Sequence, residues 1–398
     1  MRRTNVAKTV SAKVGNSVST LELFFDLVFV FAITQVTAFI AADLTWSGLL
    51  KGLLVLALVY WSWIAYSWLG TAIDVDQPAA ATYLLTAMGA MFIVAVLIPQ
   101  WYSGTVWAVV AAVAYAAVRF LHIGVFVSLG KNSPELRNAA LRLGVTVAIS
   151  SLLVITGAAI GGNWQVGLVT AAVIIDPLGV FFGKADGWYL SPHHFAERHG
   201  LIMIIALGES LIAVGLAVSA EPLTASLIVV CLFGVTLAAL VYVFYFRRNA
   251  PTLLERLALS TGAAQPKMGR DVFSYGHFAL IAGIVLLALA LKKTVLAVAD
   301  YGLSGHVYPI TAAALTISMA LVIGGIGLIR LRAGAVVGWP LWLALLIAMA
   351  AAALSATVPT LLCLVVIGAA VVWASTTRAL PSAQTEAERA RSRTGNDE

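Results

Sequence analysis

Cysteine and charge are the scarce ingredients of this chain: two cysteines, six histidines and 11% charged residues in 398. Cys231 and Cys363 both stand inside apolar runs, where a thiol behaves as a small hydrophobe, so a disulfide framework and a cysteine-built metal site are excluded. The histidines are scattered, with no His-x-x-x-His spacing and no cysteine partner, so no metal is expected. No phosphate-cradling glycine loop or nucleophile elbow occurs either. Soluble-enzyme chemistry is therefore disfavoured, and no cofactor is expected. The net charge of +6 comes from Lys and Arg in short connections between apolar runs, without interleaved aromatics, so no nucleic-acid partner is expected.

What is abundant is hydrocarbon. With 61% hydrophobic residues and a mean hydropathy of +0.97, the chain reads as an all-α, polytopic transmembrane helical bundle. Crossing the hydrocarbon takes about 20 apolar residues, because each backbone group must bond within its own segment. Twelve stretches qualify, near 21–41, 47–70, 79–100, 105–129, 141–160, 164–183, 199–219, 223–246, 273–291, 309–331, 337–356 and 359–377. The opening "MRRTNVAKTVSAKVGNSV" runs into an acid-bearing segment with no small-residue cleavage site, so the first span is expected to stay.

Basic residues retained on the inner side set the orientation. Arg2, Arg3, Lys8 and Lys13, then Lys131, Arg137, Arg142, Lys184, Arg198, Arg247, Arg248, Arg256, Lys267, Arg270, Arg330 and Arg332, all fall on the side of the N-terminus. Lys51, Lys292 and Lys293 are exceptions, expected to snorkel from helix ends. The expected organisation is a cytoplasmic basic tail (1–20), a transmembrane domain (21–377) and a cytoplasmic polar tail (378–398), in a bacterial plasma membrane. Residues 247–272 are expected to form a short surface helix between turns. The first and seventh spans share a pattern, Glu22 to Gln35 and Glu197 to Glu209, and both are followed by aromatic spans. This suggests two parallel six-helix repeats, 21–183 and 197–377.

A few ionisable groups fall inside spans: Asp26, Arg119, His122, Asp176, Glu209 and His277, with Glu22 at the entrance. An unpaired charge there costs at least about 2.5–3.5 kcal/mol, so each should face a partner or a wet cavity. Their depths place Asp26 and Asp176 on either side of Arg119, a cluster that reads either as a structural clamp or as a cation or proton site. Glu209, beside Gly208, falls near the bilayer midplane with no basic residue in evidence. His122, His277 and the pair His193–His194 are candidates for relaying protons, with the interfacial reading the better one for His193 and His199. Pro177 after Asp176 should kink the sixth span. The aromatic run 60–68 reads as an interface belt or core packing, and the glycines of "GAAIG" and "GVFFG" as close helix contacts.

"LELFFDLVFVFAITQ" and "HFAERHGLIMIIALGES", supported by "WIAYSWLGTAIDVD" and "SYGHFALIAGIV", resemble the bacterial low temperature requirement A (LtrA) family. The resemblance implies a multi-spanning membrane protein linked by name to growth in the cold, of undefined activity. Its motif positions here are Glu22, Phe25, Asp26, Glu197, Arg198, Gly200, Gly208, Glu209 and His277; the eighth span departs, reading "LVYVFYF" where a tryptophan pair is usual. A shorter likeness joins "FFDLVFVFAIT" to the Phe-Ser-Asp signature of a potassium-channel family, with Phe in place of Ser. The leading expectation is a transport protein, carrier or channel, in which Glu22, Asp26, Arg119, Asp176, Glu209 and His277 line a path for a proton, cation or small solute. Lipid and a second copy of the chain, as a homo-oligomer, complete the candidate partners. An intramembrane lipid-modifying enzyme using His277 and the carboxylates, or a structural assembly factor, are the alternatives.

Overall fold

The computed structural model describes residues 17–129, 134–182, 188 and 190–377. Residues 1–16 and 378–398 of the two expected tails, and Lys131, Gly183 and Lys184, lie outside the described residues. Every regular element among the described residues is helical. Helices α1 (Thr20–Ala42), α2 (Trp46–Gly70), α3 (Pro78–Leu97), α4 (Val106–Leu129), α5 (Pro134–Ile160), α6 (Gly162–Phe182), α7 (Pro192–Ser219) and α8 (Ala225–Tyr242) come first. Two short helices follow, α9 (Ala250–Leu259) and α10 (Ala264–Met268). The series ends with α11 (Gly276–Tyr301), α12 (Pro309–Met319), α13 (Gly325–Arg332), α14 (Trp339–Leu354) and α15 (Thr360–Thr376). Three π-helical segments, Val243–Arg247, Gly269–Tyr275 and Ala320–Gly324, join α8 to α9, α10 to α11 and α12 to α13.

Among the described residues ten helical stretches are long and apolar enough to cross a membrane, and Trp339–Leu354 and Thr360–Thr376 are shorter apolar helices, which gives the twelve expected from the sequence. Their ends follow local chemistry. Ser19 and Glu22 form a reciprocal capping box at α1: Glu22 N donates to Ser19 Oγ (3.2 Å) and Ser19 N donates to Glu22 Oε2 (3.0 Å). Thr45 and Thr224 accept from Gly48 N and Leu227 N and so cap α2 and α8. Gly161 and Gly162 take positive φ (74° and 59°) in the tight turn between α5 and α6, so Gly161 serves a turn and not the helix contact expected of it.

Several boundaries differ from the sequence reading; α5 begins at Pro134, seven residues before the expected 141. Helix α7 begins seven residues before the expected span at 199, because "PHHFAER" continues the helical ladder although it is polar. Helix α11 runs ten residues past 291, because "TVLAVADY" resumes the apolar run beyond the lysine pair. Lys292 and Lys293 are therefore half-buried within a helix and do not stand at its end. The region 247–272 does form the short helix α9, with Leu253 and Leu257 buried.

The chain divides into two compact units, Met1–Arg198 and His199–Glu398, with the division inside α7. In the first unit α2 is the most enclosed, with 83% of its apolar window buried against 22% for α6. The aromatic run of α2 is thus core: Tyr60, Trp63 and Tyr66 are all buried. In the second unit α11 holds the central place, unbroken in burial from Leu280 to Leu291.

Helices α5 and α6 meet at glycine. A β-carbon at Gly179 would overlap the Thr146 side chain, whereas one at Gly167 would meet nothing within 4 Å. Gly179→Ala should therefore lower stability by about 1–3 kcal/mol. Gly167→Ala should be neutral or stabilising by up to about 1 kcal/mol. Unfolding in detergent micelles measures both, and equal effects would contradict this packing.

Candidate functional site

Helix periodicity builds the site. Glu22 and Asp26 are four residues apart on α1, and His194 and Arg198 are four apart on α7, so each pair lies on one face of its helix. The two faces meet within the first unit. His194 Nε2 donates to Glu22 Oε2 at 2.9 Å, Arg198 NH1 lies 3.0 Å from Glu22 Oε1, and Arg198 NH2 donates to Asp26 Oδ1 at 2.7 Å. All four residues are 2% exposed or less.

Helix α2 completes the enclosure. Trp63 Nε1 donates to Asp26 Oδ1 (3.0 Å), and its ring lies under the Arg198 guanidinium at 5.7 Å. Gly70 supplies the space for Glu22, since a β-carbon there would overlap Glu22 Oε1 and lie 3.1 Å from His194 Cε1. Phe25, fully buried, packs on Phe29 and Tyr66 at 5.2 and 5.0 Å between ring centroids. Glu197, on the outer face of α7, accepts from Val18 N at 3.0 Å and ties down the chain before α1.

The cluster is not fully satisfied. Asp26 Oδ1 takes two donors while Oδ2 takes none, and Arg198 Nε and His194 Nδ1 also have no hydrogen-bond partner. Glu22 and Arg198 border a crevice of about 10 Å³, room for roughly one water molecule, walled by Tyr66, Gly70, Tyr83 and Leu121 among others.

A second buried pair lies in the same unit. Arg119 NH2 donates to Asp176 Oδ2 at 2.7 Å, and its NH1 donates to the Trp61 carbonyl at 2.9 Å. Tyr66, which walls the crevice, donates to the Val118 carbonyl (2.9 Å), and its ring lies 5.8 Å from that of buried His122. Arg119 is the expected partner of Asp176 but not of Asp26. The expected three-member cluster is therefore two clusters, because α7 enters early enough to bring its own arginine to Asp26. Pro177 stands inside a continuous α6.

In the second unit, His277 is fully buried, as is His199, which is thus not interfacial. His277 Nδ1 faces the Val272 carbonyl at 3.1 Å and so carries the proton; Nε2 then accepts from the Tyr245 hydroxyl at 2.6 Å. The Phe273 ring stacks on His277 at 5.2 Å and His199 meets it edge-on at 5.1 Å. Both partners come from π-helical segments or their edges, a backbone form frequent at functional positions. Glu209 and Ser210 are buried on α7, a β-carbon at Gly208 would meet nothing within 4 Å, and one at Gly200 would touch the Phe246 ring at 3.4 Å. Among the described residues no group of three or more His, Cys, Asp or Glu could hold a metal.

The residues that build this geometry lie within the part of the chain that matches a known family. The description "Bacterial low temperature requirement A protein (LtrA)" matches residues 17–376. The chain belongs to the LtrA family. An uncharacterized protein of Rhizobium meliloti (strain 1021) is 25% identical over 278 residues, covering 67% of each chain. No solved structure matches. This LtrA-family membrane protein thus carries its buried ion cluster on α1 and the start of α7, both within the matched range.

Sequence reading missed Trp63, Gly70 and the pairing of His194 with Glu22. The shared i, i+4 spacing of an acid pair and a basic pair was the available signal for His194 and Arg198. Arg198→Gln should cost about 3–5 kcal/mol, since both carboxylates would be left buried without their cation. Gly70→Ala should cost about 1–3 kcal/mol by crowding Glu22, and less in a Glu22→Ala background. Unfolding in micelles tests both, and additive effects of Gly70→Ala and Glu22→Ala would contradict the contact.

Proposed function

We propose that this LtrA-family chain is a proton-linked membrane carrier whose loading site is the Glu22–Asp26–His194–Arg198 cluster. The observation that carries the reading is the incomplete pairing of that cluster at a water-sized crevice. Two carboxylates share one guanidinium, with an unoccupied lone pair on Asp26 and a free Nδ1 on His194. With a neutral imidazole the group has one net negative charge, and a single proton from the crevice neutralises it. Protonation of either carboxylate weakens its hold on Arg198, which links proton entry to the contact between α1 and α7.

Arg119 and Asp176 add to the polar groups of the unit, and Asp176 Oδ1 and Arg119 Nε are unpaired there as well. A crevice that admits about one water molecule favours stepwise proton or small-cation exchange over an open channel. Glu209 and His277 belong to the second unit and enter the proposal as separate polar sites. The orientation that fits the reading has both termini cytoplasmic in a bacterial plasma membrane, with the crevice on that side, and two parallel six-helix repeats. The family's name adds a role in growth at low temperature. No observation favours the lipid-modifying enzyme: His277 is enclosed by aromatic rings and hydrogen-bonded at both nitrogens.

In liposomes carrying a pH-sensitive dye, the wild-type chain should dissipate an imposed proton gradient. Asp26→Asn and His194→Gln should each slow this about 10-fold or more, the range of a lost proton-transfer group. Their unfolding profiles identify any variant that has merely lost its fold. Wild-type rates in both folded variants would refute the loading site.

A further inference from the structure

We propose that the second unit holds a binding site for the phosphate of an anionic lipid headgroup, centred on Arg330 and Arg332 and independent of the loading site. Arg330 is 2% exposed. Its Nε donates to Asn249 Oδ1 at 2.7 Å and its NH1 donates to Thr377 Oγ1 at 2.9 Å; its NH2 has no partner. Among the described residues no carboxylate pairs with it, so a full positive charge is buried against neutral groups and the Phe244 ring, 5.9 Å away. Such a charge is costly unless an anion compensates it.

The surroundings repeat the same sign. Asn249 follows the exposed pair Arg247 and Arg248, and Arg256 NH1 donates to the carbonyl of Ala333, next to Arg332. The side chain of Arg332 is 51% exposed and shares Asp271 with Arg270. Asp271 therefore already serves two arginines, and among the described residues no acid pairs with Arg330.

The same place presents apolar side chains outward: Leu331, Val336, Trp339 and, at the end of amphipathic α9, Leu259. Basic residues beside exposed aliphatic and tryptophan side chains are the composition of a headgroup-level surface. Basic pockets between membrane helices take lipid phosphates, and guanidinium forks fit phosphate oxygens. The occupant that meets both the charge and the apolar rim is a lipid with an anionic headgroup. A free inorganic phosphate meets only the charge.

Native mass spectrometry of the full chain in non-ionic detergent, with equal phosphatidylglycerol and phosphatidylcholine, tests the site. Phosphatidylglycerol should be retained preferentially, and Arg332→Gln, at a half-exposed position, should weaken its retention about fivefold without changing phosphatidylcholine. Asp271→Asn, which releases Arg332 from its acid, should strengthen it. Arg330→Gln should abolish the preference, and its melting profile separates that effect from loss of fold. Displacement of the lipid by millimolar inorganic phosphate would assign the site to a free anion and overturn the proposal. Equal retention of both lipids, or no effect of Arg332→Gln, would also overturn it.

Discussion

A guanidinium taken out of water has to be met by acids, and acids taken out of water have to be met by cations. In the first unit that mutual requirement is resolved by helix pitch: Glu22 and Asp26 on one helix face the His194 and Arg198 pair on another. Removing any one member strands the others in a medium that cannot solvate them, at a cost of several kcal/mol. Surface ion pairs of the same types, screened by water, would each contribute about 1 kcal/mol or less. The cluster therefore fixes how the start of α7 lies against α1, and with it the positions of Trp63, Gly70 and the crevice wall.

The same cluster is chemically unfinished. Asp26 Oδ2 and His194 Nδ1 have no hydrogen-bond partner, and Glu22 and Arg198 border a void of water size. Arg119 and Asp176, with a backbone carbonyl as third partner, repeat the theme in the same unit. In the second unit the π-helical segments serve a related end by turning Tyr245 and His277 toward one another.

The membrane makes the fold legible. Hydrocarbon demands unbroken apolar runs of predictable length, so the twelve apolar spans among the described residues show in hydropathy alone. Polar helix does not show. "PHHFAER" reads as a loop by composition, which assigns Arg198 to an aqueous connection and hides its reach into the bundle. Asp26 then falls to Arg119, the nearest cation still counted as buried. The extension of α11 past Lys292 and Lys293 escapes for the same reason. Gly70 carries no signal at all, because its role is the absence of a β-carbon opposite Glu22, a fact of three dimensions.

The central claim is that a carboxylate of this cluster exchanges a proton with water. Infrared difference spectra of the chain in bilayers, recorded between about pH 5 and pH 8, the range in which biological switches operate, test it most directly. The account predicts a protonated-carboxyl band that grows on acidification and is lost or shifted in Asp26→Asn and Glu22→Gln. A spectrum without a pH-dependent carboxyl band, or a band that persists unchanged in both variants, would contradict it.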